Sequence, residues 1–259
     1  VPFTPSHAIV ALPFARTPIP AGAVAIGAMA PDLPLFFPGT VTYGQTHGFP
    51  SLLWASLPLA LVLYAVWRLA IRPAASALLL PEALRSRIPW TWDRPTRPER
   101  PVAAGALVVG AALLGVATHV IWDLFTHPDR LGSQWIPALA DEWGPFEGTT
   151  WLQYASSALG LAGLAVWAYL ASRKAGVVHR SDPPAVAVVR LVGWLAAAAV
   201  LVGSFAVRLG LDGIPVTTRQ LARTAFDAGT FAGAVILVIA LAASVLVQVL
   251  RRTGRATPG

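Results

Sequence analysis

Five stretches of this sequence hold enough consecutive apolar residues to cross a hydrocarbon layer about 30 Å thick, which takes roughly 20 residues of helix. They are 49–71, 102–126, 150–172, 185–207 and 225–250. The first begins FPSLLWASLPLALVLYAVW and carries no charge before Arg68. Lipid offers a backbone no water to bond, so each stretch must satisfy its own N–H and C=O groups as a helix. The fold class expected is therefore all-α, a polytopic integral membrane helical bundle with five full spans. The composition agrees: 56% of the 259 residues are hydrophobic and only 12% are charged, against about 25% charged in an average soluble domain.

Residues 1–48 are apolar too, but Pro13, Pro18, Pro20, Pro31, Pro34 and Pro38 interrupt them. Proline cannot continue a helix from its interior, so this segment is expected to form short helices at or partly within the membrane. No basic segment precedes it, and Pro31 follows its one Ala-x-Ala-like site at 28–30, so it does not read as a signal peptide. The whole chain, 1–259, is taken as one membrane domain. It divides into an N-terminal helical hairpin (1–48), three spans (49–172) and two more (185–250).

The formal charge of +7 arises from 19 basic and 12 acidic side chains. With a high pI it would ordinarily suggest nucleic acid. Its distribution argues for topology instead, because basic loops stay in the cytoplasm. Fourteen of the 19 basic residues fall in the 68–101 loop, the 173–190 connection and the tail, all on one side if five spans are real. That side carries +10 and the other −3. The N-terminal segment is thus expected outside and the C-terminus inside, with Trp90 and Trp92 of the Arg/Pro-rich loop at headgroup level. Arginine outnumbers lysine 18 to 1, a bias expected of a GC-rich bacterial genome and hence of a bacterial cytoplasmic (inner) membrane. The absence of cysteine excludes disulfides, thiolate metal sites and cysteine nucleophiles.

Ionisable residues inside spans are costly and usually functional. The 102–126 stretch and its end read GVATHVIWDLFTHP, which spaces His119, Asp123 and His127 at i, i+4 and i+8. At 3.6 residues per turn the three stand on one helix face, and His-x-x-x-Asp is a usable metal-ligand spacing. They are expected near the outer edge of the hydrocarbon, accessible from outside. At the other end of the chain, TPSHAIVALPFA reads as a helix start, with Thr4 as N-cap, Pro5 at the first helical position and His7 in the first turn. A hairpin around TPIP at 17–20 would return Asp32 to the level of His7. His47, in YGQTHGF, is expected at the outer surface, whereas His179 is expected to be a plain solvated residue.

The segments VPFTPSHA, GAMAPDL, THGF and THVIWDLFTH, followed by the weaker LQYASS at Gln153 and Tyr154, resemble an uncharacterised bacterial membrane family, domain of unknown function 4184. Val1 stands at the family's Met position, which is read as a GTG start. The pattern is also similar to predicted membrane-bound metal-dependent hydrolases and, more distantly, to the all-helical zinc phospholipase C group. This chain departs from those hydrolases in reading PDLP, without the second Asp of their Pro-Asp-x-Asp. The resemblance implies metal ligands at His7, Asp32, His47, His119 and Asp123, with His127 a ligand or an acid/base.

Histidine and carboxylate ligands without thiolate suit zinc, with manganese or iron as alternatives. One or two ions are expected. Arg208, Arg219, Arg223, Arg130, Gln153 and Tyr154 are the candidates for substrate recognition, and Asp227, at i+4 from Arg223, is a simple ion-pair partner for it. A centre at the hydrocarbon boundary suits a lipid or lipid-linked phosphate whose tail stays in the membrane. The expected function is a metal-dependent hydrolase, phosphoesterase-like, with Asp123 and His127 as catalytic groups. The alternatives are a lyase or cyclase acting on a prenyl diphosphate, and a non-catalytic metal-binding or transport protein. The chain has no Gly-rich phosphate loop, serine elbow or HExxH helix, so nucleotide hydrolysis, serine hydrolase and metalloprotease chemistries lack support.

Overall fold

The computed structural model describes residues 3–39, 41–79, 101–174 and 182–253. Trp90, Trp92 and His179 lie outside the described residues. Five helical stretches are long and apolar enough to cross a membrane: Ser51–Leu78, Val102–Thr126, Gly148–Arg173, Pro184–Asp212 and Thr218–Thr253. Each expected stretch is present, and four of the five extend beyond their apolar cores because polar end residues continue the helix. The elements are a 3-10 helix at Thr4–Phe14, α1 (Ala21–Gly27), α2 (Leu33–Phe36), α3 (Tyr43–His47), α4 (Ser56–Val66), α5 (Arg72–Leu79), α6 (Pro101–Thr126), α7 (Leu131–Trp135), α8 (Gly148–Lys174), α9 (Pro184–Asp212) and α10 (Thr218–Thr253). Strands β1 (Glu142–Trp143) and β2 (Phe146–Glu147) form a two-stranded antiparallel hairpin between α7 and α8.

The chain divides into two compact units, Val1–Tyr64 with Pro89–Ala171, and Ala65–Ile88 with Ser172–Gly259. In the first, α1 lies against α6 at backbone contact distance. A Cβ on Gly27 would run into the carbonyl of Ala112, and one on Gly115 would meet the Val24 carbonyl and, at 2.6 Å, the Ala28 nitrogen. Small residues permit such close approach between helices in lipid, where packing rather than hydrophobicity holds them together. Ala30, Ala60, Ala112 and Val116 form the apolar core beneath. The 3-10 helix runs beside α8 in the same direction: the Phe3 amide donates to Ser157 Oγ at 2.9 Å, and Gly160 and Gly163 pack against Ser6 and Ile9. The N-terminal hairpin therefore sits at the depth of the spans rather than along their ends.

After α6 the chain reverses through Asp129, whose φ of 60° lies in the left-handed region that aspartate tolerates better than most residues. Helix α7 then folds back onto the end of α6. Gly132 makes this fit, because a Cβ there would stand 2.6 Å from the Phe125 Cα.

In the second unit α5, α9 and α10 share a core of Ala74, Ala77, Leu78, Val186 and Val247. Arg251 grips Asp182 through two bonds of 2.8 and 3.2 Å, and Trp194 Nε1 donates to the Leu78 carbonyl at 2.8 Å. Asp227 pairs with Arg208 at 3.4 Å. The sequence spacing had suggested Arg223 as its partner. The turn between α9 and α10 brings their facing ends together, and the cross-helix pair forms.

Candidate metal centre

Three segments remote in sequence converge in the first unit. Asp32 follows α1, His47 ends α3, and His119 and Asp123 stand one turn apart on α6. Each offers one ligand atom, and all four atoms lie within 4.8 Å of one another. The two imidazole Nε2 atoms are 3.1 Å apart. His47 Nε2 is 3.3 Å from Asp123 Oδ2 and 3.8 Å from Asp32 Oδ1, and His119 Nε2 is 3.4 and 3.5 Å from the same two oxygens. For ligand bonds of 2.0–2.1 Å a tetrahedron has edges of about 3.3 Å. Five of the six edges, at 3.1–3.8 Å, bracket that value, and the sixth, between the two carboxylate oxygens, is within 4.8 Å, so the four residues can close on a divalent ion.

The surroundings orient these atoms as a metal site requires. His119 Nδ1 is 2.7 Å from the Ala28 carbonyl, and His47 Nδ1 is 3.0 Å from the Tyr43 carbonyl. A carbonyl can only accept, so each Nδ1 carries a proton and donates it, and in its neutral form each ring turns the Nε2 lone pair toward the centre. Asp32 Oδ2 accepts from Thr4 Oγ1 at 2.7 Å, while its Oδ1 is buried with no hydrogen-bond partner and faces the histidines. Asp123 Oδ2 accepts from the Tyr43 hydroxyl at 3.2 Å and Oδ1 from Thr126 at 3.4 Å. Ser56 Oγ donates to the Thr46 carbonyl at 2.6 Å, fixing α3 to the start of α4.

The expectation of an outward-open site is corrected. Asp32 and His119 are fully buried, and Asp123 and His47 are 5% and 6% exposed, because α1 and α3 close over that face of α6. Thr4 is corrected too. The N-cap is Phe3, which supplies no side-chain cap, and the Thr4 hydroxyl serves Asp32 instead.

His7 lies beside the quartet. Its ring centroid is 4.2 Å from that of His119, and its buried Nε2 has no partner. His127 Nδ1 is 3.6 Å from Asp123 Oδ2. Its Nε2 is likewise buried and unpartnered, and burial holds its pKa below the usual histidine value. All four histidines assigned to one face of the membrane thus gather around Asp32 and Asp123.

The other candidates divide. Gln153 Nε2 donates to the Thr126 carbonyl, at the end of α6. Tyr154 is partly exposed and packs edge-on against Phe146 and Trp151. Arg130 is the residue just before α7, three after His127. Arg208, Arg219 and Arg223 belong to the second unit, where Arg208 pairs with Asp227 and, at 3.7 Å, with Asp212. The acidic side chains Asp141, Glu142 and Glu147 sit on or beside the β hairpin, outside the ligand group.

Tyr43 was not anticipated. It serves two ligands at once, His47 through its carbonyl and Asp123 through its hydroxyl, and its ring stacks on His47 at 3.7 Å. The one sequence signal for it was its place four residues before His47, where helical geometry turns a carbonyl toward the later side chain. Burial and the nearby carboxylates raise its pKa well above the usual tyrosine range, so its hydroxyl remains a donor.

No curated protein and no solved structure matches this chain. The family described as Domain of unknown function (DUF4184) matches residues 1–250, a range that contains every residue of the centre, and the chain belongs to that family.

Proposed function

We propose that the protein is a membrane-embedded, metal-dependent hydrolase of phosphoesterase type, acting on a lipid or lipid-linked phosphate. The proposed place is the extracytoplasmic face of the bacterial cytoplasmic membrane, with the C-terminus inside. One observation carries the reading: His7 and His127 each keep a buried, unpartnered Nε2 beside the four ligand residues. Leaving a buried polar atom unpaired costs about 1–3 kcal/mol. An ion held only to brace helices would need neither imidazole, whereas a reaction needs groups that bind substrate and move protons.

A divalent ion, zinc before manganese or iron, would supply Lewis acidity at a phosphoryl oxygen and lower the pKa of a water nearby. Asp32, His47, His119 and Asp123 would hold it. His127, with its Nδ1 turned to Asp123, is placed to accept a proton at Nε2 and return it to the leaving oxygen. His7, with its unpartnered Nε2, would exchange a hydrogen bond with the phosphoryl group. Among the recognition candidates Arg130 is favoured over Arg208, because it follows His127 by three residues while Arg208 is already matched by two carboxylates.

The competing reading is a non-catalytic metal-binding protein, favoured by the four protein ligands, since structural sites fill their shell. Both are tested on protein purified in mild detergent by metal analysis and by phosphate release from polyprenyl phosphate and phosphatidic acid. The expected result is stoichiometric metal, phosphate release, and loss of release but not of metal in His127→Gln. Full metal occupancy with no release from either lipid supports the competing reading. Protein without stoichiometric metal, or one that keeps its metal after combined H119A and D123A, refutes both.

A further inference from the structure

The chain segments that lead into the metal centre carry large apolar side chains on their outer surfaces. Phe49 and Trp54, on either side of the turn that follows His47, are 82% and 62% exposed. Trp135 and Ile136 end the segment that folds back after His127, and Trp143 lies on the β hairpin beyond it; all three are exposed. None of them packs into the unit's apolar core. We infer that these residues form a belt that seats this end of the first unit in the headgroup and upper acyl region of the adjoining lipid leaflet, so that the metal centre lies at or below headgroup level.

Chain geometry supplies the depth. Trp135 and Trp143 follow the end of α6 and precede the start of α8, both of which are spans. The segment joining them must lie at a membrane boundary. His119 is seven residues before the end of α6, about 10 Å along a helix axis, and His47 meets it there. Phe49 and Trp54 are tied to that level by the Ser56–Thr46 bond.

Chemistry selects the occupant. Tryptophan concentrates at membrane interfaces because its ring is apolar and its N–H is not. The belt is also continuous with exposed Ile121 and Trp122 on α6 and Trp151 on α8, which are lipid-facing if those helices span. The exposed polar side chains of the same connection, Asp129, Gln134, Asp141 and Glu142, lie beyond the span ends, where water begins. The inference concerns how the chain sits in lipid, and it holds whether or not the centre is catalytic.

The cysteine-free sequence allows a direct test. Single variants F49C, W54C, W135C and W143C of the full chain are spin-labelled in vesicles of equal parts phosphatidylethanolamine and phosphatidylglycerol. Collision rates with oxygen and with a water-soluble nickel chelate report depth. L159C, exposed on α8, provides the acyl-chain reference, and D141C the aqueous one. The belt positions are expected to fall between the two references. Nickel accessibility equal to that of D141C at W54C and W135C overturns the inference. So does spin–spin broadening that persists on dilution with unlabelled lipid, which would mean that a second copy covers the patch. Should W135C fail to fold, Ile136→Cys reads the same depth.

Discussion

Removing the Tyr43 hydroxyl tests the proposed centre where geometry makes a graded statement. In Tyr43→Phe the ring still stacks on His47 and the carbonyl still orients His47 Nδ1, so only the 3.2 Å bond to Asp123 Oδ2 is lost. Outer hydrogen bonds to metal ligands are typically worth 10–100-fold in affinity. Asp123 keeps a second donor, Thr126, on its other oxygen, and the lost bond is long. The expected loss is therefore about tenfold, or 1.4 kcal/mol. Thr4→Val should cost more. Its bond to Asp32 is 2.7 Å, and Asp32 is fully buried with no partner on its other oxygen. There the expected loss approaches a hundredfold, about 2.7 kcal/mol. Zinc-buffered titration of both variants in detergent gives the two affinities, and the absorption of bound cobalt reports whether the coordination survives. Unchanged affinity in both folded variants, or a larger loss in Y43F than in T4V, would refute this account of how the ligands are held.

Other perturbations separate holding the ion from using it. Asp32→Asn and Asp123→Asn should each abolish stoichiometric zinc by metal analysis, because a neutral amide neither balances the ion's charge nor donates electron density as a carboxylate does. His7→Gln should retain metal while lowering phosphate release by at least tenfold; loss of metal instead would make His7 a ligand. Gln153→Ala frees the Thr126 carbonyl and should lower stability by about 1 kcal/mol in detergent-denaturation curves, with metal content unchanged. Gly115→Ala should push α1 from α6, draw the Ala28 carbonyl away from His119 Nδ1, and weaken zinc binding although it touches no ligand.

The five spans were legible because each depends on local composition and length alone. His119, Asp123 and His127 were legible for a similar reason, since one helix supplies their common face. Asp32 beside His7 followed from a hairpin whose proline break could be read directly. The rest depended on contacts between remote segments. Nothing within TPSHAI shows that Thr4 will bond a carboxylate 28 residues later, and nothing within YGQTH shows that Tyr43 will reach across 80 residues to Asp123. The ligand set as a whole also depends on α1 lying against α6 at backbone distance, where Gly27 and Gly115 meet. Two glycines in an apolar run are too common to announce such a contact. The burial of His47 was missed on the same ground, because it is created by the closure of other segments rather than by its own.

Charge makes the last connection between the fold and its centre. Hydrogen bonds to Ala28 and Tyr43 make both ligand histidines donors at Nδ1, so as neutral rings they would turn two Nε2 lone pairs toward each other at 3.1 Å. Two carboxylate oxygens stand 3.3–3.8 Å away in the same buried space. Neutral imidazoles and ionised carboxylates sum to −2, a charge that a low-dielectric interior does not tolerate unpaired. One proton between the histidines would cancel half of it and would satisfy only one pair of the four atoms. A divalent cation cancels all of it and bonds all four at distances these edges already allow. The hydrogen bonds that Thr4 and Tyr43 make on the far oxygens support the same outcome, since each holds its carboxylate with the other lone pairs turned inward. The fold therefore supplies the donors, their protonation and their spacing together, and Thr4→Val, which leaves every ligand in place, is the perturbation that separates that preparation from the ligands themselves.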